Sequence, residues 1–151
     1  MNTPINKVTD EDMSSFSDVP TLNEYQGLAT RFAVYPGQGT TLGLWYTITK
    51  LNGEAGEAAE HIGKAFRDDG LLHAYSAEEH DVNGEGVLFS FSAVSPERYQ
   101  LLIKELGDVL WYVAAAAKEL DTTLAEVART NLAKLKDRSE RDALQGSGDN
   151  R

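Results

Sequence analysis

Two acidic pairs share one spacing in this sequence: Glu54 with Glu57, and Glu105 with Asp108. Residues three apart lie one above the other on a helix surface, so two helical segments here would each present a prong of two carboxylates. Like charges so placed repel, costing each helix roughly a few tenths of a kcal/mol unless a cation sits between them. Four hard oxygen donors from two helices suit Mg2+, with Mn2+ as a substitute, because both ions prefer carboxylate, water and phosphate oxygens to nitrogen or sulfur. For either pair alone a solvated helix face is the ordinary reading; the repetition favours the cation. Glu60 continues the first row, either as a further ligand or as a solvated acid.

Composition narrows the partners. The 151 residues fit one domain that can bury a core without staples. The 41% hydrophobic and 25% charged residues are those of a soluble globular protein. No run reaches the roughly 18 apolar residues of a membrane span, and no signal-peptide pattern opens the chain, so a cytoplasmic protein with no membrane contact is expected. The absence of cysteine excludes disulfides, thiol catalysis and the usual structural zinc sites. Three histidines, His61, His73 and His80, are too few for a histidine-rich metal site. A net charge of -10 repels nucleic acid in bulk, whereas a small polyphosphate that arrives with its own divalent cation escapes that repulsion.

The elements that must position the acidic prongs are helices. Residues 1–20 are polar without a sustained period and read as a mobile arm. Thr21-Leu22-Asn23-Glu24 is a capping box, predicting a helix from Leu22 to about Val34 with Leu22, Tyr25, Leu28, Ala29 and Phe32 on its apolar stripe. A second helix is predicted from about Leu42, with Leu44, Ile48, Leu51, Ala55, Ala58, Ile62 and Phe66 inward and Glu54 and Glu57 on the flank. Gly53, Gly56 and Gly63 weaken it, and close approach of another helix is the expected use. Ser95-Pro96 predicts the start of a third helix running to about Glu119, where Glu105, Asp108 and Tyr112 share the flank of another apolar stripe. Between the acidic helices, 71–95 form an insert in which Val87 to Val94 alternate as in a strand or hairpin; a loop packed on the bundle or on another subunit is the other reading.

Thr123-Leu124-Ala125-Glu126 is a second capping box, predicting a fourth helix to about Arg138 that buries Leu124, Val127, Ala128, Leu132 and Leu135. Asn131 falls within that stripe as a core-facing amide, and Lys134 and Arg138 extend its row. In so acidic a chain this is a candidate phosphate cradle, beside the plainer reading of a structural amide and two surface cations. Residues 141–151 read as a flexible tail, leaving 21–140 as the helical domain.

Gly53-Glu54-Ala55-Gly56-Glu57-Ala58-Ala59-Glu60, then Lys104-Glu105-Leu106-Gly107-Asp108-Val109-Leu110-Trp111-Tyr112, then Asn131-Leu132-Ala133-Lys134-Leu135-Lys136-Asp137-Arg138, resemble the MazG-like all-alpha nucleoside triphosphate pyrophosphohydrolases. The resemblance runs from about Leu22 to Arg138 apart from the insert, which is longer here than in compact members. It implies an all-α bundle of four to five helices completed by oligomerisation as a homodimer or homotetramer. It also implies hydrolysis of a nucleoside triphosphate to monophosphate and pyrophosphate, with magnesium held by Glu54, Glu57, Glu105 and Asp108. Tyr112, Asn131, Lys134 and Arg138 match positions that meet sugar or phosphates. The family's base pocket lies near the first helix and the loop after it, making Gln26, Phe32 and Trp45 candidates. Similar proteins in phages and bacteria clean nucleotide pools or redirect deoxynucleotides, and some phage members favour dGTP, the leading substrate expectation here.

On that reading Glu57 helps take a proton from the attacking water, Lys134 and Arg138 hold the terminal phosphates, and no protein nucleophile is needed. Two other readings stand beside it. A di-iron carboxylate bundle also uses facing acidic helices, but expects Glu-x-x-His motifs that neither acidic helix carries. A non-enzymatic helical module would use the acidic faces to bind a basic partner.

Overall fold

The computed structural model of the protein describes residues 20–69 and 94–141. Regular structure among them is all helical: α1 Leu22–Ala29 with a 3-10 turn Thr30–Phe32, α2 Thr41–Asp68, α3 Pro96–Glu119 and α4 Leu124–Glu140. The fold is all-α, as the periodicity predicts. The arm, the insert with its expected strand or hairpin, and the tail lie outside the described residues, save for Pro20, Val94, Ser95 and Arg141 at their edges. None of these helices is long and apolar enough to cross a membrane.

The helix starts follow local chemistry. At α1 the capping box is complete: the Thr21 amide donates to Glu24 Oε2 at 2.7 Å and the Glu24 amide to Thr21 Oγ1 at 3.2 Å. Thr40 caps α2 by accepting the Leu42 amide at 3.2 Å, and Ser95 caps α3 by accepting the Arg98 amide at 3.2 Å, with Pro96 in the first helical position. At α4 only half of the predicted capping box forms: Thr123 accepts the Glu126 amide at 3.1 Å, but the Glu126 carboxylate pairs with Arg129 instead of returning to the cap.

Two compact units form, one from Met1–Ile48 with Trp111–Arg151 and one from Thr49–Leu110, so α2 and α3 each contribute to both. In the first unit α1 packs on α4, and the buried residues are Ala114 to Ala117, Leu124, Thr30, Thr47, Tyr35 and Gln26. Gln26 Nε2 donates to the carbonyls of Ala114 at 3.3 Å and Thr122 at 3.1 Å, and Oε1 accepts the Leu124 amide at 2.9 Å. A buried amide is tolerated because its hydrogen bonds are made. The fully buried residues of α1 and its 3-10 turn are therefore Gln26 and Thr30, while of the predicted apolar stripe Tyr25, Leu28 and Ala29 are half-buried and Leu22 and Phe32 exposed.

The first helix is also shorter than predicted, for a specific reason. Trp111 Nε1 donates to the Ala29 carbonyl at 2.9 Å, the oxygen that the Ala33 amide would take in a continued α-helix. Ala33 N–H turns instead to the Thr30 carbonyl at 3.2 Å, which tightens the chain into the 3-10 turn.

Two further expectations are not met among the described residues. On α4 only Leu124 is buried; Val127, Leu132 and Leu135 are exposed, and so is Asn131, which is no core-facing amide. Beyond its first turn, the stripe of α4 finds too little among the described residues to cover it. In the second unit Gly53, Gly56 and Gly63 have no described neighbour within 4 Å of where a Cβ would stand, so no other described helix approaches them closely. The apolar residues there form an open groove of about 550 Å3 lined by Ala58, Ile62, Tyr99, Leu102, Ile103 and Leu106.

Candidate metal centre

Glu54 on α2 and Glu105 and Asp108 on α3 come together in the second unit, each offering a carboxylate oxygen within 4.8 Å of the others. Helical spacing explains the pairing on α3, since Glu105 and Asp108 are one turn apart on one flank. The side chains of Glu54 and Glu105 are only 14% and 15% exposed, so water screens them incompletely. At an effective dielectric near 20, two unit charges 4.8 Å apart repel by about 3.5 kcal/mol. Lys50 Nζ, 3.6 Å from Glu54 Oε1, offsets part of that repulsion.

The donor set fits a small hard cation. Metal–oxygen distances of about 2.1 Å place opposite ligands about 4.2 Å apart, slightly less than the 4.8 Å span of these oxygens. Glu57, one turn beyond Glu54, is exposed and is not part of this cluster. Glu60 pairs with Lys64 at 2.7 Å, and that hydrogen bond, with the lysine's charge, holds its carboxyl below the usual range. It lies outside the cluster of Glu54, Glu105 and Asp108.

Around Glu105 lies a set of side chains that the sequence reading missed. His61 Nε2 is 3.5 Å from Glu105 Oε1, and Arg98 Nη1 is 3.4 Å from His61 Nδ1. Asp69 accepts two bonds from Arg98, at 2.7 Å from Nε and 2.9 Å from Nη2. These bonds, reinforced by the charge of Arg98, hold the Asp69 carboxyl low, and Asp69 in turn raises the guanidinium. A signal was present: His61 follows Glu54 by seven residues and Arg98 precedes Glu105 by seven, close to two whole turns in each case.

The remaining candidates belong to the first unit. Tyr112 is half-buried with its ring edge-on to Trp111 at 4.8 Å. Asn131 and Lys134 are exposed on α4 and Arg138 is half-buried. Phe32 and Trp45 are exposed aromatics, 53% and 65%. Gln26 differs from both, since its two amide hydrogens are already given to backbone carbonyls.

Comparison with known proteins agrees with the arrangement. The MazG nucleotide pyrophosphohydrolase domain matches residues 46–141, a range that contains both acidic pairs. The gene 37 protein of Mycobacterium phage L5 is 40% identical over 131 residues, covering 84% of this chain and 96% of the phage protein. No solved structure matches. With a domain match over more than half of its length and a relative this similar, the chain belongs to the MazG nucleotide pyrophosphohydrolase family.

Proposed function

We propose that this protein hydrolyses a nucleoside triphosphate, or its deoxy counterpart, to the monophosphate and pyrophosphate with Mg2+, for which Mn2+ can substitute. The observation that carries the reading is the convergence of Glu54, Glu105 and Asp108 within the matched domain. Three carboxylates held this close, two of them partly shielded, are a costly arrangement without a cation and a suitable one with it.

Glu54, Glu105 and Asp108 would hold the cation, with Glu57 as a fourth ligand by family resemblance. When bound, the cation neutralises charge on the polyphosphate and on the departing pyrophosphate, and makes water easier to deprotonate. Glu57, exposed beside the cluster on α2, is the carboxylate available to take the water's proton. Lys134 and Arg138, four residues apart on α4, are assigned to the phosphates, and Tyr112 and Asn131 to the sugar. Phe32 and Trp45 are assigned to the base, with Gln26 as a weaker member because its donors are spent. dGTP is the substrate expected first, by resemblance to phage members of the family.

The test is a panel of ribo- and deoxyribonucleoside triphosphates incubated with the purified chain and Mg2+. Stoichiometric monophosphate and pyrophosphate from at least one member supports the reading. A panel left intact with Mg2+ and again with Mn2+ rejects it.

We also propose that the chain works as a homodimer or homotetramer. The open groove of the second unit and the exposed Leu132 and Leu135 of α4 are apolar surfaces of the kind that subunit pairing covers. Light scattering on the eluting protein tests this, and a monomer mass at micromolar concentration rejects it.

A further inference from the structure

We propose that His61 is a positioning residue for Glu105, donating an Nε2 hydrogen bond to the carboxylate and itself held in place by Arg98 and Asp69. The inference rests on the reading of Glu54, Glu105 and Asp108 as the cation site.

The direction of each bond follows from what each group can give. A guanidinium has only N–H donors, so the Arg98 Nη1 that faces His61 Nδ1 at 3.4 Å requires the ring's lone pair at Nδ1. The ring proton is then on Nε2, the nitrogen turned toward Glu105 Oε1 at 3.5 Å. Arg98 cannot swing freely, because its fork meets both oxygens of Asp69 at 2.7 and 2.9 Å and its own amide is fixed by Ser95 at the start of α3. The chain of contacts thus links the end of α2 to the first turn of α3 and ends on a cation-facing carboxylate. All four side chains are 14 to 19% exposed, which spares these bonds the solvent competition that weakens surface pairs.

The consequence is orientation. A carboxylate has about four lone-pair sites; one donor on Oε1 restricts its rotation and leaves Oε2 and the remaining lone pair of Oε1 for a cation. Outer partners of this kind typically change metal affinity by about 10- to 100-fold.

Mn2+ binding to the nucleotide-free full chain, read from the EPR signal of free Mn2+, tests the role without any turnover. His61→Leu is expected to weaken binding about tenfold, and His61→Gln, which keeps an N–H at similar reach, to recover most of it. Equal affinity in wild type and His61→Leu overturns the proposal, as does equal weakening in the Leu and Gln variants. A wild type that binds no more Mn2+ than Glu54→Gln rejects the cation site itself, and the inference with it. Long-range 1H–15N spectra of the wild-type imidazoles give a reading that needs no folded variant beyond the assignment by His61→Gln. An Nε2–H tautomer at His61 is expected, and an Nδ1–H tautomer overturns the proposal.

Discussion

The phenolic hydroxyl of Tyr35 donates to Glu119 Oε1 at 2.5 Å, tying the loop before α2 to the last turn of α3. The other oxygen of Glu119 accepts the Gly39 amide at 2.8 Å, and the Tyr35 ring stacks on Tyr46 and meets Trp111 edge-on. Burial, then the hydrogen bond to Glu119 and its negative charge, raise Tyr35 above the usual tyrosine range. The fold therefore favours the neutral phenol. Its contribution to stability is present in full below the unfolded value of about 10 and is lost as pH rises beyond that through the folded value. Thermal melts from about pH 8 to 11 should show the wild type losing stability more steeply than Tyr35→Phe. Parallel curves would mean that the phenol is not linked to folding.

Gly43 is where the same junction admits no side chain. A Cβ there would stand 2.5 Å from the Gly37 carbonyl oxygen and 2.7 Å from Glu119 Oε2. Gly37 has φ 74°, a left-handed conformation that resists replacement and adjustment. Gly43→Ala is expected to destabilise by about 1 to 3 kcal/mol through overpacking, measured by urea unfolding, although alanine is otherwise the better helix former.

Gln26→Ala should be more damaging. It strips partners from the carbonyls of Ala114 and Thr122 and from the Leu124 amide. Buried groups left unsatisfied cost about 1 to 3 kcal/mol each, so a total loss near 3 kcal/mol is expected. A loss below about 1 kcal/mol would show that water reaches this amide.

Substitution of the acidic cluster separates chemistry from folding. Glu54→Gln and Asp108→Asn should lower turnover by more than the roughly 10- to 100-fold that loss of an outer partner costs, while helical content is kept. In EDTA both variants should melt at or above the wild-type temperature, because each removes a charge from a repelling set. Added Mg2+ should raise the wild-type melting temperature and leave the variants behind, since a ligand of the native state alone stabilises it. Variants that collapse in EDTA would point to a structural role instead.

Much of the helical framework was legible because its causes are local. The cap at Thr21 acts through residues three positions away, and Ser95 with Pro96 marks the start of α3 in the same short-range way. The prong of Glu105 and Asp108 needs only the helical period. The α1 terminus was not legible, because the Trp111 indole that takes the Ala29 carbonyl comes from 82 residues away.

The sequence by itself determined that four helices form, the starting caps at Thr21, Ser95 and Thr123, the acidic pairs and the kind of cation that such oxygens prefer, since these depend on residue type and on spacing within a turn or two. Only the tertiary structure decided that Glu54 meets Glu105 and Asp108 while Glu57 stands outside the cluster. It also decided that Gln26 fills the core while Asn131 faces solvent, and that Arg98 and His61 line up behind Glu105. These are contacts between helices distant in sequence. Their geometry is set by which faces pack, and a periodic pattern marks such faces without naming their partners.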